Sequence, residues 1–233
     1  MDIYQIIAII AVVILLFIIV VLTSRTRIIK TYNKYMKIDN YHNLTGEQLA
    51  YVAKKFLDLP NLKFALTKQK LGDAYIPSQN VMLISEEVCK TASLASLTIV
   101  SHEFGHALQH KQNNVLFYIT MLLGKITRIT NRFITPLLIV GTALFAFQYP
   151  ALESGYTILI IAGCLFLAHV FHKIITIPLE YDASRKALKF LKENNLLSSK
   201  ELKRAKKLLG IAAQTYIAGL LDNIFIFNIK RKK

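Results

Sequence analysis

The chain has 233 residues, 54% of them apolar and only 18% charged, yet it carries a formal net charge of +15. Soluble domains average about a quarter charged residues, so this composition argues against an ordinary soluble protein and for a membrane protein with lysine-rich loops. The positive charge sits at the ends of apolar runs and not in a patch interleaved with aromatics, which argues against nucleic acid as a partner. The two cysteines, Cys89 and Cys164, form no CxxC and no disulfide framework, and neither is expected to bind metal.

Residues 3–22 are apolar apart from Gln5, long enough to cross a hydrocarbon core at ~1.5 Å per residue. No basic segment precedes this run and no small-x-small site follows, so it is expected to stay as an anchor. Arg25, Arg27, Lys30, Lys34 and Lys37 come next, which puts that end in the cytoplasm by the positive-inside rule. From about residue 40 to 112 the chain is more polar and should fold in water. Thr45 and Gln48 have capping-box spacing ahead of Leu49, Val52, Ala53, Phe56 and Leu57, which recur with helical period until Pro60. Residues 62–66 and 81–84 read as two short strands with a Gly72-Asp73 turn between them, and Ser85 as the cap of a short turn. A helix is expected from Ala92 through His110.

Residues 115–123 are apolar but short, and Lys125, Arg128 and Arg132 follow at helical spacing, the pattern of a helix lying at a membrane interface. Two apolar runs, 133–147 and 156–171, then form a hairpin around the tight loop 149–153. Lys173, Arg185, Lys186 and Lys189 follow the second run while the loop has no Lys or Arg, so the hairpin leaves and re-enters the cytoplasmic side. Residues 194–207 are charged and amphipathic. Residues 208–229 are apolar but contain Gln214 and Asp222 and end in Lys230-Arg231-Lys232-Lys233, which favours packing against the membrane part over a further crossing. The expected fold is therefore mainly α and integral to the membrane, with a small strand element and three transmembrane helices, or four if 208–229 also crosses. Its expected parts are an N-terminal transmembrane helix (1–23), a cytoplasmic part with the helix from Ala92 through His110 and the interfacial helix (24–132), the transmembrane hairpin (133–172), and a cytoplasmic helix followed by the C-terminal apolar helix (173–233).

The chemistry concentrates in Ser101-His102-Glu103-Phe104-Gly105-His106, an HExxH motif. Histidines at i and i+4 share a helical face, so His102 and His106 can both reach one Zn²⁺ at ~2.0–2.1 Å. Glu103 is placed to take a proton from water at the metal without being a ligand. A catalytic zinc needs a third protein ligand and an open position. Gln112 stands where a metzincin has its third histidine, and three ligands on successive turns ending at His110 would spread over ~12 Å; His110 is expected behind a ligand or at the surface. A carboxylate from a second helix remains. Pro178 can open such a helix, placing Glu180 in its first turn where the helix dipole favours negative charge. Two spans separate His106 from Glu180, so both return to the same side of the membrane. Asp182 is a weaker candidate, ~200° round the helix from Glu180, and Asp222 competes from the late apolar segment. Tyr181, Arg185 and Tyr216 are candidates for stabilising an oxyanion, Gly105 for close approach of another backbone, and His169 and His172 for interfacial histidines beside Lys173.

Several stretches together resemble one family. They are Gly72-Asp73-x-Tyr75-x-Pro77, Val81-x-Leu83-Ile84-Ser85-Glu86, Ser101-His102-Glu103-x-Gly105-His106-Ala107-x-Gln109-His110, Pro178-Leu179-Glu180-Tyr181-x-Ala183-Ser184 and Ala213-x-Thr215-Tyr216-x-Ala218. More loosely, Thr31-Tyr32-Asn33-Lys34-Tyr35 fits the stretch after the first span. The chain is similar in these to the putative neutral zinc metallopeptidase family of bacterial membrane proteases. The resemblance implies a membrane-embedded zinc peptidase and supports Glu180 as third ligand. Ala74 and Ile76 depart from it, standing where more polar residues flank the tyrosine. The function expected is a zinc-dependent endopeptidase of the bacterial cytoplasmic membrane, its active site facing the cytoplasm and its substrates proteins or peptides, including membrane-associated ones. A non-catalytic zinc-containing membrane adaptor, and a metallohydrolase of a non-peptide amide or ester, are the alternatives.

Overall fold

Helical spacing puts Tyr32, Tyr35 and Met36 on one face of α1 (residues 26–36), and all three are buried. The computed structural model describes residues 19, 23, 24, 26–146 and 152–218, and these form two compact units. One comprises residues 23, 24, 26–117 and 178–215, the other residues 19, 118–146, 152–177 and 216–218.

In the first unit, α1 leads to α2 (Gly46–Phe56), which starts at the expected capping box: Thr45 accepts from the Gln48 backbone N–H while the Gln48 side chain accepts from the Thr45 N–H. The sheet has three strands in the order β1-β3-β2, where two were expected. Strand β1 (Lys63–Thr67) runs parallel to β3 (Val81–Ser85) in register Lys63↔Val81, and β2 (Ala74–Ile76) runs antiparallel to β3 in register Ala74↔Leu83. Three residues are too few to show alternation, which is why β2 was not legible in the sequence. Gly72 and Asp73 lead into it. Asp73 accepts from the Ser85 N–H at 2.7 Å, so Ser85, expected as a cap, is the residue being tied down.

Ser85 is followed by the short α3 (Glu86–Lys90) and then α4 (Leu94–Lys111), whose N-cap Ser93 accepts from the Ser96 N–H. Leu94, Leu97, Val100, Phe104 and Ala107 of α4 are almost completely buried, joined in the core by Leu49, Leu62, Met82, Val88 and Leu191. A helix covered on several sides holds its side chains rigidly, a good platform for a site.

Two expectations about helix ends give way to longer helices. The interfacial helix and the first arm of the hairpin are one helix, α5 (Val115–Ala146), with Pro136 inside it. The second arm and the segment bearing Glu180 are likewise one helix, α6 (Leu152–Glu193), which runs through Pro178. Proline costs the ladder one bond and some strain, ~3 kcal/mol in an exposed helix. Close packing of Leu179, Ala183, Ala187 and Leu191 on the C-terminal side of Pro178 offsets that cost. The last described helix is α7 (Ser199–Ala218), which joins the charged amphipathic stretch to the start of the apolar one.

In the second unit the two arms run antiparallel, Leu159 lying against Gly141 and His169 donating from Nε2 to the Thr127 carbonyl at 2.8 Å. His172 lies against Gly124 and is in hydrogen-bond reach of Thr127 Oγ1 at 3.2 Å. These two histidines thus join helix to helix. Among the described residues, one helix, Gly155–Glu193, is long and apolar enough to cross a membrane by length and composition. Most of the first expected span, and Asp222 with the rest of the C-terminal segment, lie outside the described residues.

Candidate metal centre

His102, Glu103 and His106 occupy the middle of α4, and Glu180 approaches from α6. The approach depends on a small residue. An added Cβ on Gly105 would stand 2.5 Å from the Ala183 carbonyl oxygen, so only glycine lets the two backbones come this close. One turn of α4 therefore carries both imidazoles while its next face is pressed against the turn of α6 that follows Glu180.

The result is a convergence of three donors. Glu180 Oε2 lies 3.1 Å from His102 Nε2 and 3.5 Å from His106 Nε2. One ligand atom from each of His102, His106 and Glu180 lies within 4.8 Å of the others, as a group able to hold a metal ion requires. Donors at two corners of a tetrahedron around zinc, each ~2.0–2.1 Å from it, stand ~3.3 Å apart, which matches the distance from Glu180 to each imidazole. Two imidazoles and one carboxylate also suit zinc's preference for mixed nitrogen and oxygen ligands.

Glu180 is buried in the interior of α6 and not in a first turn, so the helix dipole expected to favour its charge is absent there. The imidazoles take over that role. Burial pushes the Glu180 carboxyl up, but hydrogen bonds and charge from His102 and His106 more than reverse this and hold it well below the usual carboxylate range. Burial disfavours charge on His106, yet the hydrogen bond and charge of Glu180 outweigh it and lift His106 to about 9. Each partner favours the other's ionised form. With its imidazoles neutral the pocket is a negative cage, and a dication satisfies it directly.

Glu103 is 7% exposed, and burial raises its carboxyl above the ordinary glutamate value even against the pull of His102 and His106. Among the described residues no hydrogen bond occupies this carboxylate, so it is free to take up a proton.

Behind the imidazoles stand residues whose part the sequence reading missed. Gln109, fully buried, presents Oε1 to His106 Nδ1 at 3.0 Å and donates from Nε2 to the Leu179 carbonyl at 2.8 Å and Asp182 Oδ2 at 2.9 Å. Ser184 Oγ lies 3.3 Å from His102 Nδ1. The signal for Gln109 was its i+3 spacing from His106, which puts the two on one helical face. His110 is hydrogen-bonded through Nδ1 to Tyr75 Oη at 2.6 Å and stacks on Phe117. That places it away from the ligand set, and ties β2 to α4.

The structure disposes of other candidates. Asp182 accepts from Arg185, Lys186 and Gln109 and is held down to about 2, burial being outweighed by Lys186, Gln109 and Arg185; it belongs to this network and not to the ligand set. Arg185 is engaged with Asp182 on the outer side, and Tyr181 is more than half exposed. The side chain of Tyr216 lies outside the described residues.

No solved structure matches this chain significantly. The "Putative membrane protease YugP" of Bacillus subtilis (strain 168) is 29% identical over 204 residues, covering 85% of this chain and 84% of that protein. The family model described as "Putative neutral zinc metallopeptidase" matches residues 9–229, a span that includes both ligand-bearing helices. A match of that extent, over a chain whose two imidazoles and buried carboxylate already converge on one ion-sized point, makes the protein a member of this zinc metallopeptidase family.

Proposed function

We propose that the protein is a membrane-bound, zinc-dependent endopeptidase whose active site faces the cytoplasm, with His102, His106 and Glu180 holding the metal and Glu103 acting as general base. The single observation that carries this reading is the convergence of Glu180 on the two HExxH histidines beside a buried carboxylate that is not a ligand. Zinc, when bound, supplies Lewis acidity toward a peptide carbonyl and toward water. Glu103 takes the proton from the attacking water and passes it to the departing amine, and its burial raises its basicity for that task. The rigid seat of α4 in the core keeps Glu103 and both imidazoles in register through the reaction.

Membrane attachment is supported by the long apolar helix and by the exposed Ile, Leu and Phe side chains of the unit that contains it. The cytoplasmic orientation rests on the lysines and arginines that flank the apolar runs. The relative from Bacillus subtilis carries the words membrane protease in its name, in keeping with the same reading.

The test is Glu103→Gln in the full chain, purified in detergent with stoichiometric zinc. Peptide hydrolysis should fall by ~10²–10⁴-fold while zinc content stays at the wild-type level. Undiminished turnover removes Glu103 from the mechanism. A wild-type protein that holds zinc, cleaves no peptide and supports cell function equally well with Gln at 103 is the adaptor instead; one that cleaves only amides or esters outside peptides is the other hydrolase.

A further inference from the structure

We infer that Gln109 is the positioning residue of the metal centre, locking His106 in the form that protonates Nδ1 and leaves Nε2 bare for the ion. This deepens the metal-site reading above and rests on it.

The argument is one of donors and acceptors. The Gln109 amide nitrogen faces two groups, the Leu179 carbonyl at 2.8 Å and the Asp182 carboxylate at 2.9 Å. Both can only accept, and an amide nitrogen brings two N–H donors, so this end of the side chain must be the NH₂. The orientation is therefore dictated chemically, without appeal to how the amide was placed. Its oxygen then faces His106 Nδ1 at 3.0 Å, and an amide oxygen can only accept. It follows that Nδ1 bears the hydrogen. In the neutral imidazole that a metal requires, Nε2, the nitrogen nearer Glu180, is then the one with the lone pair.

His102 is held less strictly. Its Nδ1 faces Ser184 Oγ at 3.3 Å, and a hydroxyl can donate or accept, so it accommodates either tautomer. Only one of the two imidazoles is thus locked, and the lock is on α4's second histidine.

The other half of the Gln109 contacts gives the lock a second consequence. Leu179 and Asp182 flank Glu180 in α6, and Asp182 is anchored in turn by Arg185 and Lys186. One fully buried side chain therefore sets both the tautomer of a ligand on α4 and the seating of the segment that delivers the carboxylate. Groups that orient metal ligands in this way change metal affinity by ~10–100-fold when removed.

The test uses the full-length protein in detergent, with zinc affinity measured by chelator competition and unfolding followed in the metal-free form. Gln109→Met, similar in size but with no amide oxygen to accept, should weaken zinc binding by ~10–100-fold. Gln109→Glu keeps an oxygen facing His106 and should hold zinc within a few-fold of wild type, although both variants lose the two bonds to α6. Equal loss in the two, or no loss in Gln109→Met, overturns the inference, since a purely structural glutamine would move the unfolding midpoint of both and the affinity of neither. Should Gln109→Met fail to fold, nitrogen-15 spectra of the histidines in zinc-loaded wild type decide the matter: Nδ1–H on His106 supports the lock, and Nε2–H overturns it. Failure of the underlying site looks different. Wild type without stoichiometric zinc, or His106→Ala with undiminished zinc, sinks the metal-site reading itself, whereas tight wild-type binding with an indifferent Gln109→Met sinks only the lock.

Discussion

Leu97 and Leu167 are both leucines of long helices, yet Leu97 is completely buried and Leu167 is 64% exposed. The contrast runs through both units. In the unit that holds the metal centre, Leu49, Val100, Phe104 and Leu191 point inward and most lysines point out. In the other unit, Leu122, Ile139, Ile160, Leu167 and Phe171 point out, while Thr120, Thr127 and His169 are buried along with Ile134 and Ala162, and His169 bonds across to the Thr127 carbonyl. Burying polar groups and exposing apolar ones is stable only if the surrounding solvent is itself apolar. The exposed apolar face of the second unit is the pattern a lipid environment favours, and the candidate metal centre lies in the unit with the larger buried apolar core.

The sharpest way to break this comparison is to put the same charge on both surfaces. Leu167→Arg should cost ~2.5–3.5 kcal/mol if that face meets lipid near the centre of a span. Tyr51→Arg, at a site of similar exposure in the other unit, should stay within ~0.5 kcal/mol. Membrane fractionation and thermal unfolding in detergent read the two effects. Equal tolerance of both arginines would mean that the apolar face of residues 118–177 is not a lipid surface.

A smaller effect comes from glycine. Gly105→Ala drives a Cβ into the Ala183 backbone and should cost ~1–3 kcal/mol, with zinc affinity falling because Glu180 is displaced. Gly163→Ala, in the other unit, meets nothing within 4 Å and should be neutral or stabilise α6 by up to ~1 kcal/mol. If Gly105→Ala leaves both stability and metal affinity unchanged, close backbone approach is not what brings Glu180 to the histidines. The mildest test is Thr45→Ala, which removes the capping box of α2 and should cost ~1 kcal/mol while leaving zinc binding unchanged. A change in zinc affinity there would show the metal centre to be less insulated from its own unit than the packing of α4 implies.

Much of the site was legible because its signals are local. The i, i+4 histidines, the intervening glutamate and the capping box at Thr45 depend on helical spacing alone, and each lies in the helix the sequence predicts. Glu180 was also legible, though for a reason the fold does not use: α6 continues through Pro178, and imidazole charge stabilises the carboxylate where a helix N-terminus was expected. What the sequence by itself determined was thus a composition of long apolar runs flanked by basic residues, and the residue types and spacings able to hold an ion. The tertiary structure alone decided that two prolines would be carried inside long helices, that three residues would form β2, that Gly105 would meet Ala183, and that the Gln109 amide would face His106 with one end and α6 with the other. Strand β2 is too short to show a period, the prolines are overridden by packing, and the approach of Gly105 to Ala183 and of Gln109 to Leu179 joins residues 70 or more apart, which leaves no periodic trace along the chain.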